Sequence, residues 1–242
     1  MEPPEPTAGS QNPLWLNRLQ AIFEVVLMSG LFSSFIATVP FTLRRSSGEV
    51  LLQNVRVVCS FVLLEAGITF ALLALILMAH GETLQDLGLH WVRWRSQLII
   101  GIAIVPALFF LSAIVSGMFK VLLPKYFTER NPLMDIIHTR NDLGLFIVSV
   151  LIAGGVKEEL QRAFILTRFR NHLGGAKLGL VLWSLVFAAG HYVQGFQGVV
   201  VAGLFGLVFG AVYLFCGNLI APITSHGLYD TVALLGYWFL HH

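Results

Sequence analysis

Ionisable residues occur within three long apolar stretches in the second half of the sequence, where charged side chains are costly and are often functional. The six that could do chemistry together are Glu158, Glu159, Arg162, His191, His226 and Asp230. Such groups suit two reactions. In one, a carboxylate is the general base that takes a proton from water, while imidazoles stabilise an oxyanion. In the other, the same groups bind zinc, which lowers the pKa of its water ligand.

The spacing of these residues favours a shared site. Glu158 and Arg162 are four residues apart, so on a helix they share a face and can pair. His226 and Asp230 are also four apart, and the carboxylate could orient the imidazole or pair with it. At about 1.5 Å per residue, Glu158, His191, His226 and Asp230 lie roughly 12 to 22 Å below one membrane surface. The alternative is a set of ion pairs that only fix helix packing, and spacing alone does not separate the two.

The composition is that of an integral membrane protein. Of 242 residues, 56% are hydrophobic and 12% are charged, whereas about 25% are charged in a typical soluble domain. The net charge of +2 gives no indication of a nucleic-acid partner. The two cysteines, Cys59 and Cys216, lie in apolar runs and cannot form a disulfide scaffold or a CxxC metal site, so we expect ordinary core residues.

Apolar runs long enough to cross a bilayer predict an all-α, polytopic transmembrane helical bundle of about seven spans. The runs are roughly 19–43, 54–80, 97–123, 143–169, 177–194, 197–216 and 219–240. Residues 1–17 are predicted to be a disordered tail, and residues 18–242 a membrane-embedded domain with a motif-bearing core at 143–240. The mixed segment 83–95 is predicted to be an interfacial amphipathic stretch. Basic residues are divided evenly between the two sides, so orientation stays open.

Two further glutamates, Glu24 and Glu65, stand alone in apolar runs of the first half. We expect each to face a polar interior and to bond to a neighbouring helix. The same intramembrane glutamates also motivate a more distant hypothesis, a proton-coupled transporter.

Three motifs resemble those of the CAAX protease and bacteriocin-processing (CPBP, or Abi) family of intramembrane peptidases, which includes the Ras-converting CAAX endopeptidase. They are Glu158-Glu159-Leu-Gln-Arg162, Phe187-Ala-Ala-Gly-His191 and Asn218-Leu-Ile-Ala-Pro-Ile-Thr-Ser-His226-Gly-Leu-Tyr-Asp230. They occur in the family's order on successive spans. Asp86-Leu-Gly-Leu89 resembles a further common feature of that family.

The resemblance implies a glutamate-dependent endopeptidase without a cofactor. Glu158, with His191, would activate water, while His226 and Asp230 would stabilise the oxyanion and Arg162 would orient the glutamates. If a metal is present instead, zinc would be held by Glu158, His191 and His226. The implied substrate is a membrane-associated or prenylated protein or peptide at the lipid bilayer, and the expected location is a bacterial inner membrane. A non-proteolytic binding, immunity or scaffold role within the same family is the main alternative.

The chain departs from the family pattern at two positions. The usual first motif is EExxxR, whereas Arg162 stands one residue early here. We take Glu158 rather than Glu159 as the base, because Glu158 shares a helical face with Arg162. Asp230 stands where asparagine is commoner, and an ionised aspartate accepts hydrogen bonds but cannot donate one to an oxyanion. Its role is open between a charge partner of His226 and a protonated donor.

Overall fold

The computed structural model describes residues 13–43 and 53–241. Within those ranges the chain is helical, without strands, as predicted. The α-helices in chain order are α1 Leu14–Met28, α2 Leu31–Leu43, α3 Val55–His80, α4 Trp94–Leu122, α5 Arg140–Val150, α6 Glu159–His172, α7 Ala176–Gly190, α8 Gly195–Cys216 and α9 Ile220–His241. A π-helical segment, Leu151–Glu158, joins α5 to α6.

Across the described residues these helices form seven helical segments. Helices α1 and α2 count as one segment because they follow one another, and α5, the π-helical segment and α6 count as one because they are continuous. Four segments are long and apolar enough to cross a membrane: Leu14–Leu43, Val55–His80, Trp94–Leu122 and Tyr192–Cys216. Helix α7 is apolar but shorter. The all-α bundle of about seven predicted spans is therefore confirmed.

Two predictions fall wholly or partly on residues outside the described ranges. The tail was predicted to end at residue 17, but α1 begins at Leu14, and residues 1–12 lie outside the described residues. Residues 44–52, which lie between the first two predicted spans, are also outside the described residues.

The first helical segment is interrupted between α1 and α2, at Ser29 and Gly30. Gly30 has a φ of +89°, which only glycine adopts readily. The interruption leaves carbonyl groups of α1 without their helical partners. The Ser29 hydroxyl donates to the carbonyl of Val26 at 2.7 Å, and the Gln161 side chain of α6 donates to the carbonyl of Met28. The carbonyl of Met28 thus receives its hydrogen bond from a neighbouring helix, because backbone polar groups inside a membrane need a partner within the protein.

The π-helical segment lies against α9 through glycines. A methyl group added at Gly155 would lie 3.3 Å from Cα of Gly227, and one added at Gly154 would lie 2.9 Å from Asp230 Oδ2. Small residues allow membrane helices to approach closely. This approach brings the end of the π-helical segment to His226 and Asp230.

The predicted interfacial segment folds as successive turns that pack on the link between α8 and α9. Leu219 N donates to the carbonyl of Gly88 at 3.0 Å, and the Asn218 side chain donates to the carbonyl of His90 at 2.9 Å. Asp86 accepts from the backbone and hydroxyl of Thr83 at 2.7 and 2.8 Å. These bonds lower the pKa of the Asp86 carboxyl.

Glu24, the isolated glutamate of α1, lies in a buried ion-pair network. Glu24 accepts from Arg168 Nε at 2.6 Å and lies 2.6 Å from His80 Nε2. Arg168 also donates two bonds to Glu82, at 2.8 and 2.7 Å. Glu24 therefore bonds to two neighbouring helices, α3 and α6, which is the structural role expected of it.

Candidate active site

Four of the predicted site residues line one cavity of about 260 Å³, whose walls come from α3, α5, the π-helical segment, α7, α8 and α9. They are Glu158, His191, His226 and Asp230. The remaining wall is largely apolar and aromatic, and it includes Phe187 and Phe205. A few polar groups in a mostly apolar cavity are typical of a substrate site.

Glu158 is one of two carboxylates among the residues that line this cavity, and the other is Asp230. The Glu158 side chain is 19% exposed. Its Oε2 atom is buried and accepts no hydrogen bond from the described residues, and it lies 3.8 Å from His226 Nε2. A buried carboxylate oxygen without a donor is costly. It is therefore well suited to bind and polarise a water molecule.

Glu159, by contrast, is fully buried and faces away from the cavity lining. Arg162 donates to its two oxygens at 3.1 and 3.2 Å, and His226 Nδ1 donates to Oε1 at 2.8 Å. Glu159 is thus engaged on both oxygens. This arrangement suits a residue that positions its neighbours.

The predicted pairing of Glu158 with Arg162 is wrong. Arg162 pairs with Glu159, three residues before it, and donates a further bond to the carbonyl of Gly206 at 3.1 Å. The reason lies in the backbone. The wider π-helical turn ends at Glu158, so regular α-helical spacing applies from Glu159 onward and puts Glu159 and Arg162 on one face. A shared helical face with Arg162 therefore no longer favours Glu158 as the base. The reason that favours Glu158 is its place in the cavity lining.

The His226 ring is held on both sides. Nδ1 bonds to Glu159, and the ring stacks on Phe209 with centroids 4.5 Å apart. Nε2 lies 3.6 Å from Asp230 Oδ2, which is too long for a strong hydrogen bond. Glu159 rather than Asp230 is therefore the group that orients this imidazole, and Asp230 acts on it as a nearby charge.

His191 lies where α7 ends, at the turn that leads into α8. Its Nδ1 donates to the carbonyl of Phe187 at 2.8 Å, and its ring packs against the Phe187 ring. A neutral imidazole that donates from Nδ1 keeps Nε2 as an acceptor. His191 can thus accept a hydrogen bond from a water molecule or a substrate N–H in the cavity.

The sequence-based analysis did not single out Lys157. Its ammonium lies 2.9 Å from Glu65 Oε2 and 3.8 Å from Glu158 Oε1, and its side chain is 9% exposed. The signal was present, because a lysine within a predicted span, beside two glutamates, is as unusual as the glutamates themselves. Glu65 bonds to neighbouring helices as expected of it.

The zinc alternative requires Glu158, His191 and His226 to converge on one metal ion. His226 has its Nδ1 on Glu159, so only Nε2 remains free for a ligand role. Among residues 13–43 and 53–241, no group of three or more histidine, cysteine, aspartate or glutamate side chains is arranged to hold a metal ion. A cofactor-free reaction stays a prediction.

Comparison with known proteins identifies the segment that carries these residues. Residues 139–232 match the family model described as Type II CAAX prenyl endopeptidase Rce1-like. No curated protein and no solved structure shows significant similarity to the chain. The matched segment runs from the cap of α5 into α9 and contains all six predicted site residues. This segment is therefore similar to the Rce1-like CAAX prenyl endopeptidases, which is the resemblance that the three motifs predicted.

Proposed function

We propose that this chain is an intramembrane endopeptidase of the CAAX-protease type that hydrolyses a peptide bond by glutamate-activated water. The substrate would be a membrane-associated or prenylated protein or peptide. The observation that carries the proposal is Oε2 of Glu158, which accepts no hydrogen bond within the described part of the chain and lies in a largely apolar cavity 3.8 Å from His226 Nε2. The similarity of residues 139–232 to the Rce1-like family supports the protease class in general terms.

In the proposed reaction, Glu158 takes a proton from a water molecule in the cavity while the water oxygen bonds to the carbonyl carbon of the substrate. His191 orients that water. The carbonyl oxygen becomes an oxyanion, which the N–H of His226 Nε2 stabilises. When the intermediate collapses, the peptide C–N bond breaks and Glu158 returns the proton to the leaving nitrogen. The products are a new carboxylate and a new amine.

The remaining site residues support this step indirectly. Glu159 and Arg162 hold His226 through the bond to Nδ1, so the imidazole keeps a fixed orientation. Asp230 lies 3.6 Å from Nε2 and favours a positively charged ring, which is the better oxyanion donor. The apolar wall lowers the local dielectric and strengthens each of these electrostatic interactions.

The test is cleavage by purified protein in lipid vesicles. Peptides with a C-terminal CAAX sequence, prenylated and unprenylated, are incubated with the wild type, with Glu158→Gln and with Glu129→Gln, which changes an exposed glutamate. Wild type and Glu129→Gln should release the same product, and Glu158→Gln should release none. Binding without cleavage by the wild type would favour the scaffold role, and proton-dependent solute uptake would favour the transporter.

The natural substrate and the bacterial inner membrane as the location are part of this proposal. A cell expressing Glu158→Gln should retain the uncleaved substrate in complex with the protein. Mass spectrometry of that complex would identify the substrate, and fractionation of the same cells would test the location.

A further inference from the structure

A chain of charged groups leads from α3 to the candidate base. Glu65 of α3 lies 2.9 Å from Lys157, and Lys157 lies 3.8 Å from Glu158 Oε1. The side chains of Glu65 and Lys157 are 8% and 9% exposed. Taking two charges out of water costs several kcal/mol for each ion. Because the Glu65–Lys157 pair is costly to bury and lies beside the candidate base Glu158, we expect it to have a functional role.

The orientation of the pair is fixed from the Glu65 side. Ser33 and Thr69 donate their hydroxyls to Glu65 Oε1 at 2.7 and 3.2 Å, which leaves Oε2 for Lys157. Ser33 belongs to α2 and Thr69 to α3. The lysine is therefore anchored by two helices that lie outside the segment matched by the family model.

The contact of Lys157 with Glu158 is one-sided. The ammonium approaches Oε1, while Oε2 is the atom without a hydrogen bond from the described residues. At 3.8 Å in a medium of low dielectric, the attraction between the two charges is much stronger than it would be in water. The lysine can thus orient the carboxylate without occupying the oxygen that would accept the proton.

We infer that Lys157 is a positioning residue, which is anchored by Glu65 and turns the free oxygen of Glu158 toward the cavity while supplying the counter-charge of the ionised carboxylate. The inference rests on the proposed function, because it assigns Lys157 a role in the same reaction. It does not make Lys157 a catalytic residue, since the ammonium acts on substrate only through Glu158.

The experiment compares Lys157→Met, Glu65→Gln and the double variant, with Lys177→Met as a control at an exposed lysine. Lys157→Met should lower kcat by about 10- to 100-fold with KM within about twofold of the wild type, since a displaced catalytic group costs rates of this order. Lys157→Met alone also leaves Glu65 buried and unpaired, so it should lower the unfolding temperature. The double variant removes both charges.

The double variant distinguishes a positioning role of Lys157 from a role in helix packing alone. If Lys157 positions Glu158, the double variant recovers the unfolding temperature of the wild type and remains as slow as Lys157→Met. If the pair serves only packing, kcat recovers together with stability, and the inference is overturned. Wild-type kcat in Lys157→Met would also overturn it.

A second readout does not depend on proteolysis. The infrared carboxylate stretching bands of Glu158, assigned by their loss in Glu158→Gln, should shift between the wild type and Lys157→Met, because the variant lacks the ammonium 3.8 Å from Oε1. Identical spectra would contradict the inference even in an active enzyme. If the wild type cleaves no peptide while the carboxylate bands shift in Lys157→Met, the proposed function fails and the effect of Lys157 on Glu158 stands.

Discussion

His226 Nδ1 lies 2.8 Å from Glu159 Oε1, so the two residues form one buried unit with Arg162. This unit connects α6 to α9 at the base of the cavity. The paired glutamates of the first motif therefore have different environments. Glu159 is fully buried and holds an imidazole. Glu158 lines the cavity, and its Oε2 accepts no hydrogen bond from residues 13–43 or 53–241.

The buried unit predicts a distinct phenotype for Glu159→Gln. The change leaves Arg162 buried without its counter-charge, so it should lower the free energy of unfolding by about 3 kcal/mol. Activity should fall as well, because His226 loses its orienting partner, but it should stay measurable. Thermal unfolding and peptide cleavage of the same preparation check both. A stable, fully inactive Glu159→Gln beside an active Glu158→Gln would reverse the assignment of the base.

Asp230 should contribute through its charge. Asp230→Asn keeps the size of the side chain and removes the negative charge 3.6 Å from His226 Nε2. Because Glu159 still holds the ring, we expect a stable protein with kcat lowered by roughly tenfold, which is a typical loss of about 1.4 kcal/mol of transition-state stabilisation. Full activity in Asp230→Asn would instead indicate that position 230 acts as a neutral hydrogen-bond donor.

Gly154 offers a test of the close approach between the π-helical segment and α9. A methyl group there would lie 2.9 Å from Asp230 Oδ2 and 3.5 Å from His226 Nε2, so the carboxylate must move. Gly154→Ala should therefore slow cleavage with little effect on unfolding. Gly144→Ala in α5 is the matched control, because nothing lies within 4 Å of the added methyl group. Equal activity in the two variants would show that the approach does not matter for the reaction.

Metal dependence is tested by chelation. The geometry leaves Glu158 and the imidazoles available for acid–base work, and we predict that the purified, active protein contains no stoichiometric zinc. Prolonged treatment with a chelator should leave the cleavage rate unchanged. Activity that is lost to the chelator and restored by added zinc would favour a Lewis-acid mechanism through Glu158, His191 and His226.

The helical segments could be predicted from the lengths of the apolar runs. Helical rise also placed Glu158, His191, His226 and Asp230 at similar depths, which favoured a shared site without establishing it. The partner of Arg162 could not. Spacings of three and four both place residues on one helical face, and only the π-helical segment decides between Glu159 and Glu158. That segment packs against α9 where Gly155 approaches Gly227, and helical periodicity does not predict such a tertiary contact. The pairing of Glu65 with Lys157 likewise depends on how α3 packs.

The most direct test of the central claim is the fate of one peptide in water enriched in heavy oxygen. Wild-type protein in vesicles should split a CAAX peptide into two products, with one heavy oxygen atom in the new carboxylate. Folded Glu158→Gln should leave the peptide intact, because an amide cannot take the proton from water and loss of a general base costs about 10²–10⁴ in rate. Equal, labelled product from both proteins would contradict the assignment of Glu158, and an intact peptide with folded wild type would contradict the protease.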